Sequence, residues 1–224
     1  MVAVVNVVMG MAFTLLPIPE MIYHYTITGE WGFDCLFCIL SAHLCVHFMI
    51  LKYDLENITN ESIDTYGKLP TLNERLFNVV QKHQKIEEYK KSMDVIFNFA
   101  LFYNFFVSSF IICIQGFMVT AASGYTLVKF ALFLASFLVE LFLLCFYGQH
   151  IVESSVQAAE AAYNCPWYNT NRQFRTIILQ MINKAQIPLT LMAWKIWPVD
   201  LNTFASILSA SWSYFTLLRT VYAD

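Results

Sequence analysis

The chain has 224 residues, of which 58% are hydrophobic and 13% are charged, and its formal net charge is −3. Soluble globular domains carry about 25% charged residues, so this composition is typical of a protein whose main solvent is lipid. Nucleic-acid binding needs a concentrated basic face, and an acidic chain without one predicts no nucleic-acid partner. The composition therefore predicts a protein embedded in a lipid bilayer.

Five apolar segments predict membrane-spanning helices. The longest charge-free run covers residues 95–128, which is 34 residues, whereas one helix needs about 20 to cross a bilayer. Ser123 and Gly124 predict a break near the end of this run, so it should form a helical hairpin with the apolar stretch that follows. The spans are predicted at about 1–16, 35–51, 95–120, 127–151 and 201–221. They lack the period-2 alternation of barrel strands, so we predict an all-α membrane protein with a single transmembrane domain, 1–224.

The basic residues predict the orientation of these spans. Eleven of the 13 Lys and Arg residues lie in the loops 52–94 and 152–200, whereas the segment 17–34 has none. Cytoplasmic loops carry the excess of Lys and Arg, so both basic loops should face the cytoplasm and the segment 17–34 should lie outside.

The loops carry structural signals of their own. Pro17 and Pro19 are expected to end the first span. The following stretch, Met21–Trp31, is rich in Tyr and Trp and predicts a lid-like or interfacial element. Apolar residues among charges predict amphipathic helices at Leu72–Lys91, running into the next span, and at Arg172–Ile187, ended by Pro188. A helical break is expected at Asn164-Cys165-Pro166-Trp167. We therefore expect helical cytoplasmic loops.

Two segments carry a resemblance to a known family. Phe146-Tyr147-Gly148-Gln149-His150, leading through Glu153-Ser154 to Tyr163 and Trp167, is similar to the region after the sixth span of insect odorant receptors. The tail from Leu201-Asn202-Thr203-Phe204 to Leu218-Arg219 resembles the last span of that family. In this register the five helices match spans three to seven of a seven-span receptor, and we expect the first two spans upstream.

The resemblance implies a ligand-gated cation channel subunit in the plasma membrane of olfactory neurons. Its implied partners are an odorant co-receptor subunit in a heterotetramer, a small volatile apolar ligand and the lipid bilayer. A cavity for such a ligand should be lined by aromatic, aliphatic and sulfur-bearing side chains. The predicted ligand-binding residues lie in the outer halves of three spans: Met9, Phe13, Leu36, Phe37, Leu40, Phe130, Phe133 and Phe137. Ordinary core or lipid-facing packing is the alternative for each of them.

The last span is the pore candidate because it is rich in Ser and Thr among Leu and Phe. Small hydroxyls can line a water-filled pore, although they also form hydrogen bonds to neighbouring helices. The family register implies that Leu217 forms a hydrophobic constriction, with Thr216 and Thr220 as polar neighbours. A ring of apolar side chains can close a pore by dewetting.

No set of catalytic residues is visible in the sequence, so we predict neither an enzyme nor a cofactor. His43 and His47 have a metal-ligand spacing, with helix packing as the alternative, and we predict no metal site. Glu140, an acid within a span, suggests either a functional site or a structural hydrogen bond. The alternative function is a membrane transporter or a non-channel membrane scaffold, and a transporter should show internal repeats with broken helices.

Overall fold

The computed structural model describes the backbone of residues 18–58 and 72–223, and the side chains of residues 32–58, 72–120, 122–217 and 219–220. These residues form the helices α1 (Ile18–Glu56), α2 (Leu72–Ala121), α3 (Tyr125–Asn164), α4 (Arg172–Ala185) and α5 (Leu201–Ala223). A 3-10 turn at Trp167–Asn169 precedes α4. Two short strands, β1 (Met192–Ala193) and β2 (Trp197–Pro198), pair antiparallel before α5. The predicted all-α fold is confirmed.

Several helices are suited to a bilayer. Within the described residues, three stretches are long and apolar enough to cross one: Gly32–Glu56, Leu72–Thr120 and Tyr125–Asn169. Helix α5 has 23 residues, so it is about 35 Å long and exceeds the ~30 Å hydrocarbon core. The predicted first span, 1–16, lies outside the described residues. The exact span limits stay predictions.

Helices α2 and α3 extend well beyond a bilayer. With 50 residues α2 is about 75 Å long, more than twice the thickness of the hydrocarbon core. Its charged first part, residues 72–94, continues without a break into the charge-free run that begins at Val95. The predicted amphipathic helix running into a span is therefore confirmed.

The predicted helix breaks are also observed. Helix α2 ends at Ala121, and the turn to α3 contains Gly124 with φ of +61°, a conformation that glycine adopts without steric cost. Helix α3 ends at Asn164, at the start of the predicted break. Helix α4 begins after Asn171, whose side chain accepts a hydrogen bond from the Phe174 amide at 2.8 Å.

The structure adds two features that the sequence analysis did not predict in the loops. The segment 17–34 is helical from Ile18 onward and belongs to α1. Pro19 lies in the first turn of this helix, where the missing amide hydrogen costs nothing, so the proline marks a helix start rather than a loop. The second basic loop has the expected helix at Arg172–Ala185 and also contains the β1–β2 hairpin, which was not predicted.

The chain divides into two compact units, Met1–Leu40 and Ser41–Asp224. In the second unit α2 packs against α3 and α5, and α3 packs against α4 and α5. Its core includes Leu44, Phe48, Leu51, Met93, Phe97, Leu101, Phe105, Leu141, Leu144, Ile151, Phe174 and Ile178. Along each helix these residues are three, four or seven positions apart, which is the pattern of a buried helical face.

Candidate functional site

The last helix has one packed face and one exposed face. Six exposed polar residues form one row along the helix, which we call the polar stripe: Asn202, Ser206, Ser209, Ser213, Thr216 and Thr220. Arg219 is also exposed but lies outside this row. The spacing of three or four residues within the stripe places its members on a single side of the helix, and Thr220 lies nine residues, or about 180°, from buried Ser211. The polar stripe therefore lies opposite the face that packs on the rest of the chain.

The hydroxyls of the polar stripe bond to their own helix. Ser213 donates to the Ser209 carbonyl at 3.0 Å, Thr216 to the Ser213 carbonyl at 2.8 Å, and Thr220 to the Leu217 carbonyl at 2.8 Å. A hydroxyl satisfied in this way still keeps lone pairs for water. Leu217, the predicted constriction, is 63% exposed at the edge of the stripe. The structure thus places all three predicted pore residues on the exposed side of α5.

The packed face of α5 contacts α2 and α3. Buried Ser211 donates to the Ser109 carbonyl at 3.1 Å, which joins α5 to α2 inside the apolar region. The ring of Phe204 lies 5.7 Å from that of Phe142 on α3 in an edge-to-face arrangement. These contacts set the orientation of α5 about its axis in this structure.

The start of α5 is fixed by the β1–β2 hairpin. The Asp200 carboxylate accepts a hydrogen bond from the Thr203 amide at 2.7 Å, and the Thr203 hydroxyl donates to the Pro198 carbonyl at 2.7 Å. The backbone of Val199, which directly follows the hairpin, also lies against α3 at Gly148, where an added Cβ would be only 2.1 Å from the Val199 carbonyl oxygen. Only glycine permits such a close approach. The sequence analysis missed both contacts.

The predicted ligand-binding residues fall in three places. Met9 and Phe13 lie outside the described residues. Leu36, Phe37 and Leu40 lie on α1, in the unit that ends at Leu40. Phe130, Phe133 and Phe137 lie on α3, where the rings of Phe133 and Phe137 are 5.3 Å apart, and all three are partly exposed. Their role in binding a ligand stays a prediction.

The acid within the third helix has a partner on its neighbour. The Asn104 side chain donates to the Glu140 carboxylate at 3.4 Å, and the Ser108 hydroxyl donates to the Asn104 side-chain oxygen at 3.1 Å. This network links α2 to α3 through polar groups that would be costly to bury alone. The structural interpretation of Glu140 therefore has a concrete partner, which sequence spacing could not identify.

The two histidines with metal-ligand spacing pack against each other. The rings of His43 and His47 are 4.6 Å apart and nearly perpendicular, and His43 lies 6.3 Å from the ring of Tyr89. Across the described residues, no group of three or more His, Cys, Asp or Glu side chains is arranged to hold a metal ion.

An ionic cluster joins the charged parts of α2 and α4. His83 and Lys184 both contact Glu87, and the His83 to Glu87 distance is 3.6 Å. They border a cavity of about 20 Å³, roughly the size of one water molecule, together with Ser155. Burial lowers the pKa of His83, the nearby Lys184 lowers it further, and Glu87 opposes both effects.

Several helices long and apolar enough to cross a bilayer, two of which extend well beyond it, are typical of a multi-pass membrane protein. A solved structure shares this arrangement: that of the insect olfactory receptor OR5 from Machilis hrabei in complex with eugenol aligns with a TM-score of 0.78 at 24% identity. The alignment covers 93% of this chain and 54% of that one. At 24% sequence identity, this structural similarity establishes the fold alone.

The sequence comparisons establish the family. The model of the 7tm odorant receptors matches residues 9–212. Odorant receptor 13a of Drosophila melanogaster is 34% identical over 212 residues, covering 88% of this chain and 50% of the relative. Odorant receptor 67c of the same fly is 26% identical over 191 residues, covering 85% and 46%. The chain therefore belongs to the insect odorant receptor family. It spans about half the length of the curated relatives it matches.

Proposed function

We propose that this chain is part of an odorant receptor subunit in the plasma membrane, which binds a small volatile ligand and gates a cation pore with a co-receptor. The observation that carries the proposal is the polar stripe on α5. It lies on the face of the helix that the other described residues leave exposed, and α5, at about 35 Å, is long enough for a bilayer.

The polar stripe suits the wall of a pore better than a lipid contact. Hydroxyls bonded to their own helix can face lipid. Six polar residues on one side of a helix, however, are more favourably solvated by water than by lipid. In a ring of four subunits, one helix from each would bring four such stripes around a central axis. The packed face, held by Ser211 and Phe204, sets which residues point to that axis.

The gate in this proposal is Leu217. It is the large apolar side chain at the edge of the polar stripe, between Thr216 and Thr220 along the exposed side. Four leucine side chains at one level exclude water from a narrow pore, and a modest rotation of each helix moves them aside.

The ligand site in this proposal lies in the outer halves of the spans and includes the aromatic pair Phe133 and Phe137 of α3. Both rings are only partly buried within this chain, so they have surface available for a ligand. Apolar and aromatic surface suits a volatile ligand with few polar groups. A contact of this kind contributes about 1–3 kcal/mol, or a 10- to 200-fold change in affinity.

The test is a pair of substitutions in the full-length subunit expressed with its co-receptor. Leu217→Ser should raise the basal cation current with little change in odorant potency, because water then persists at the constriction. Phe133→Ala should lower odorant potency about tenfold or more and leave basal current unchanged. Leu217→Met is the matched control, since it keeps the constriction apolar and should keep basal current low.

The proposal fails if basal current and ion selectivity are the same in Leu217→Ser as in the wild type while Phe133→Ala alters neither the potency nor the ranking of odorants. That result would favour a membrane scaffold without a pore of its own.

A further inference from the structure

The hairpin between α4 and α5 has a turn that its side chains do not favour. The Ile196 amide donates to the Ala193 carbonyl at 3.1 Å, and the two central residues, Trp194 and Lys195, have φ of +50° and +57°. Two consecutive positive φ values are those of a type I′ turn, in which Asn-Gly is the preferred pair. A bulky aromatic and a lysine there are sterically unfavourable, so turn geometry does not explain their presence.

The hairpin packs on α2 near the start of its apolar run. The Trp194 amide donates to the Asn98 carbonyl at 3.2 Å, and the Trp194 ring lies 4.6 Å from that of Phe102. Asn98 and Phe102 lie four and eight residues beyond Asp94, the last charge before the run, which is about 6–12 Å along the helix. The headgroup layer is roughly 5–8 Å thick, so the hairpin lies at the edge of the hydrocarbon core.

The apolar side chains of the hairpin are about half exposed at this level, and both tryptophan rings also pack on Phe102. Trp194 is 48% exposed, Ile196 63% and Trp197 42%. Among the described residues Trp167 donates its indole hydrogen to the Tyr163 carbonyl, whereas no hydrogen bond from the indoles of Trp194 and Trp197 is found there. Tryptophans with an apolar body and a free polar tip are the typical residues of a membrane interface.

Lys195 adds a positive charge at the tip. Within the part of the chain that the structure describes, it has no ion-pair partner. The nearest acid along the chain, Asp200, is engaged with the Thr203 amide at the start of α5. An unneutralised lysine beside exposed tryptophans is complementary in charge to anionic phospholipid.

We propose that the hairpin 192–198 is a lipid clamp, in which Lys195 binds the phosphate of an anionic phospholipid in the cytoplasmic leaflet while Trp194 and Trp197 lie in the headgroup layer. The clamp joins the membrane surface to the first turn of α5, because the same hairpin provides the Pro198 carbonyl that accepts from Thr203. The inference rests on the membrane embedding and orientation of the chain, and it is independent of the odorant and of the pore.

Contact quenching of tryptophan fluorescence tests the clamp. The full-length subunit is reconstituted in nanodiscs that contain increasing fractions of brominated phosphatidylserine or brominated phosphatidylcholine. The signal of Trp194 is the difference between the wild type and Trp194→Phe. A basic residue near the surface favours anionic lipid by about 1 kcal/mol, or roughly fivefold, so half-quenching should need about fivefold less phosphatidylserine.

The variants separate charge from turn geometry. Lys195→Gly and Lys195→Asn both suit a positive φ, so they should preserve the hairpin and abolish the lipid preference. Lys85→Gln, which removes an exposed lysine far from the hairpin, should keep it. Equal quenching by the two lipids in the wild type would refute the preference of the hairpin for anionic phospholipid. Absence of quenching by either would refute the clamp altogether and indicate that protein covers the hairpin. No outcome depends on odorant-evoked current.

Discussion

Gly148→Ala should destabilise the protein because the backbone of Val199, directly after the hairpin, lies against this position. The new Cβ would be 2.1 Å from the Val199 carbonyl oxygen and 2.9 Å from its carbonyl carbon, so the oxygen must move by 1.3 Å to reach an ordinary contact of 3.4 Å. Overpacking of this kind costs about 1–3 kcal/mol, and the atoms here belong to the backbone and have no alternative rotamer. The higher helix propensity of alanine offsets up to about 1 kcal/mol of this cost. We expect a net loss of about 1–2 kcal/mol.

Gly116→Ala is the matched control, because it is also a glycine inside a helix that contacts the α5 region. Its Cβ would be 3.5 Å from the Phe215 ring, which is an ordinary contact, so the helix-propensity gain of about 0.5–1 kcal/mol should remain. Thermal unfolding of the two purified variants should therefore place the midpoint of Gly148→Ala about 4–10 °C below that of Gly116→Ala. Equal midpoints would refute the close approach of the Val199 backbone to α3.

Two further predictions concern pH and topology. Burial and Lys184 lower the pKa of His83 below its ordinary 6.5, so the unfolded chain binds more protons than the folded one just below that pH. The free energy of unfolding should therefore fall as the pH drops below 6.5. His83→Gln should flatten this dependence when unfolding is measured between about pH 7 and 5. If the flattening is absent, the ionic cluster does not control acid stability. The sequons Asn57-Ile58-Thr59 and Asn60-Glu61-Ser62 lie in a basic loop predicted to face the cytoplasm, so they should carry no glycan. A glycosidase-sensitive mass shift that Asn57→Gln with Asn60→Gln abolishes would invert the topology.

Local sequence signals predicted the helices well. The charge-free run from Val95, the break at Ser123-Gly124 and the proline after α4 are strong signals because each acts through a few neighbouring residues. The helical form of the segment 17–34 was not predicted, because a proline and aromatic residues are compatible with either an interfacial loop or the first turns of a helix. Only the tertiary environment decides between the two.

Contacts between distant segments were not predictable in the same way. The partner of Glu140 is Asn104, 36 residues earlier, and nothing in the local pattern of either residue indicates the pair. The hairpin was missed because its strands have two residues each and its turn contains Trp-Lys in place of Asn-Gly. Gly148 was noticed as part of a family segment, but its need for glycine comes from Val199, which is 51 residues away.

Cysteine accessibility along α5 tests most directly whether the polar stripe lines a pore. Ser213→Cys and Ser211→Cys make the same chemical change two residues apart, one on the exposed stripe and one on the buried face against α2. In the full-length subunit expressed with its co-receptor, a charged methanethiosulfonate reagent applied with odorant should reduce the current of Ser213→Cys, because the thiol faces water in the open pore. Ser211→Cys and the wild type with its native cysteines should be unaffected. Modification of Ser211→Cys while Ser213→Cys remains unmodified would contradict the assignment of the polar stripe to the pore.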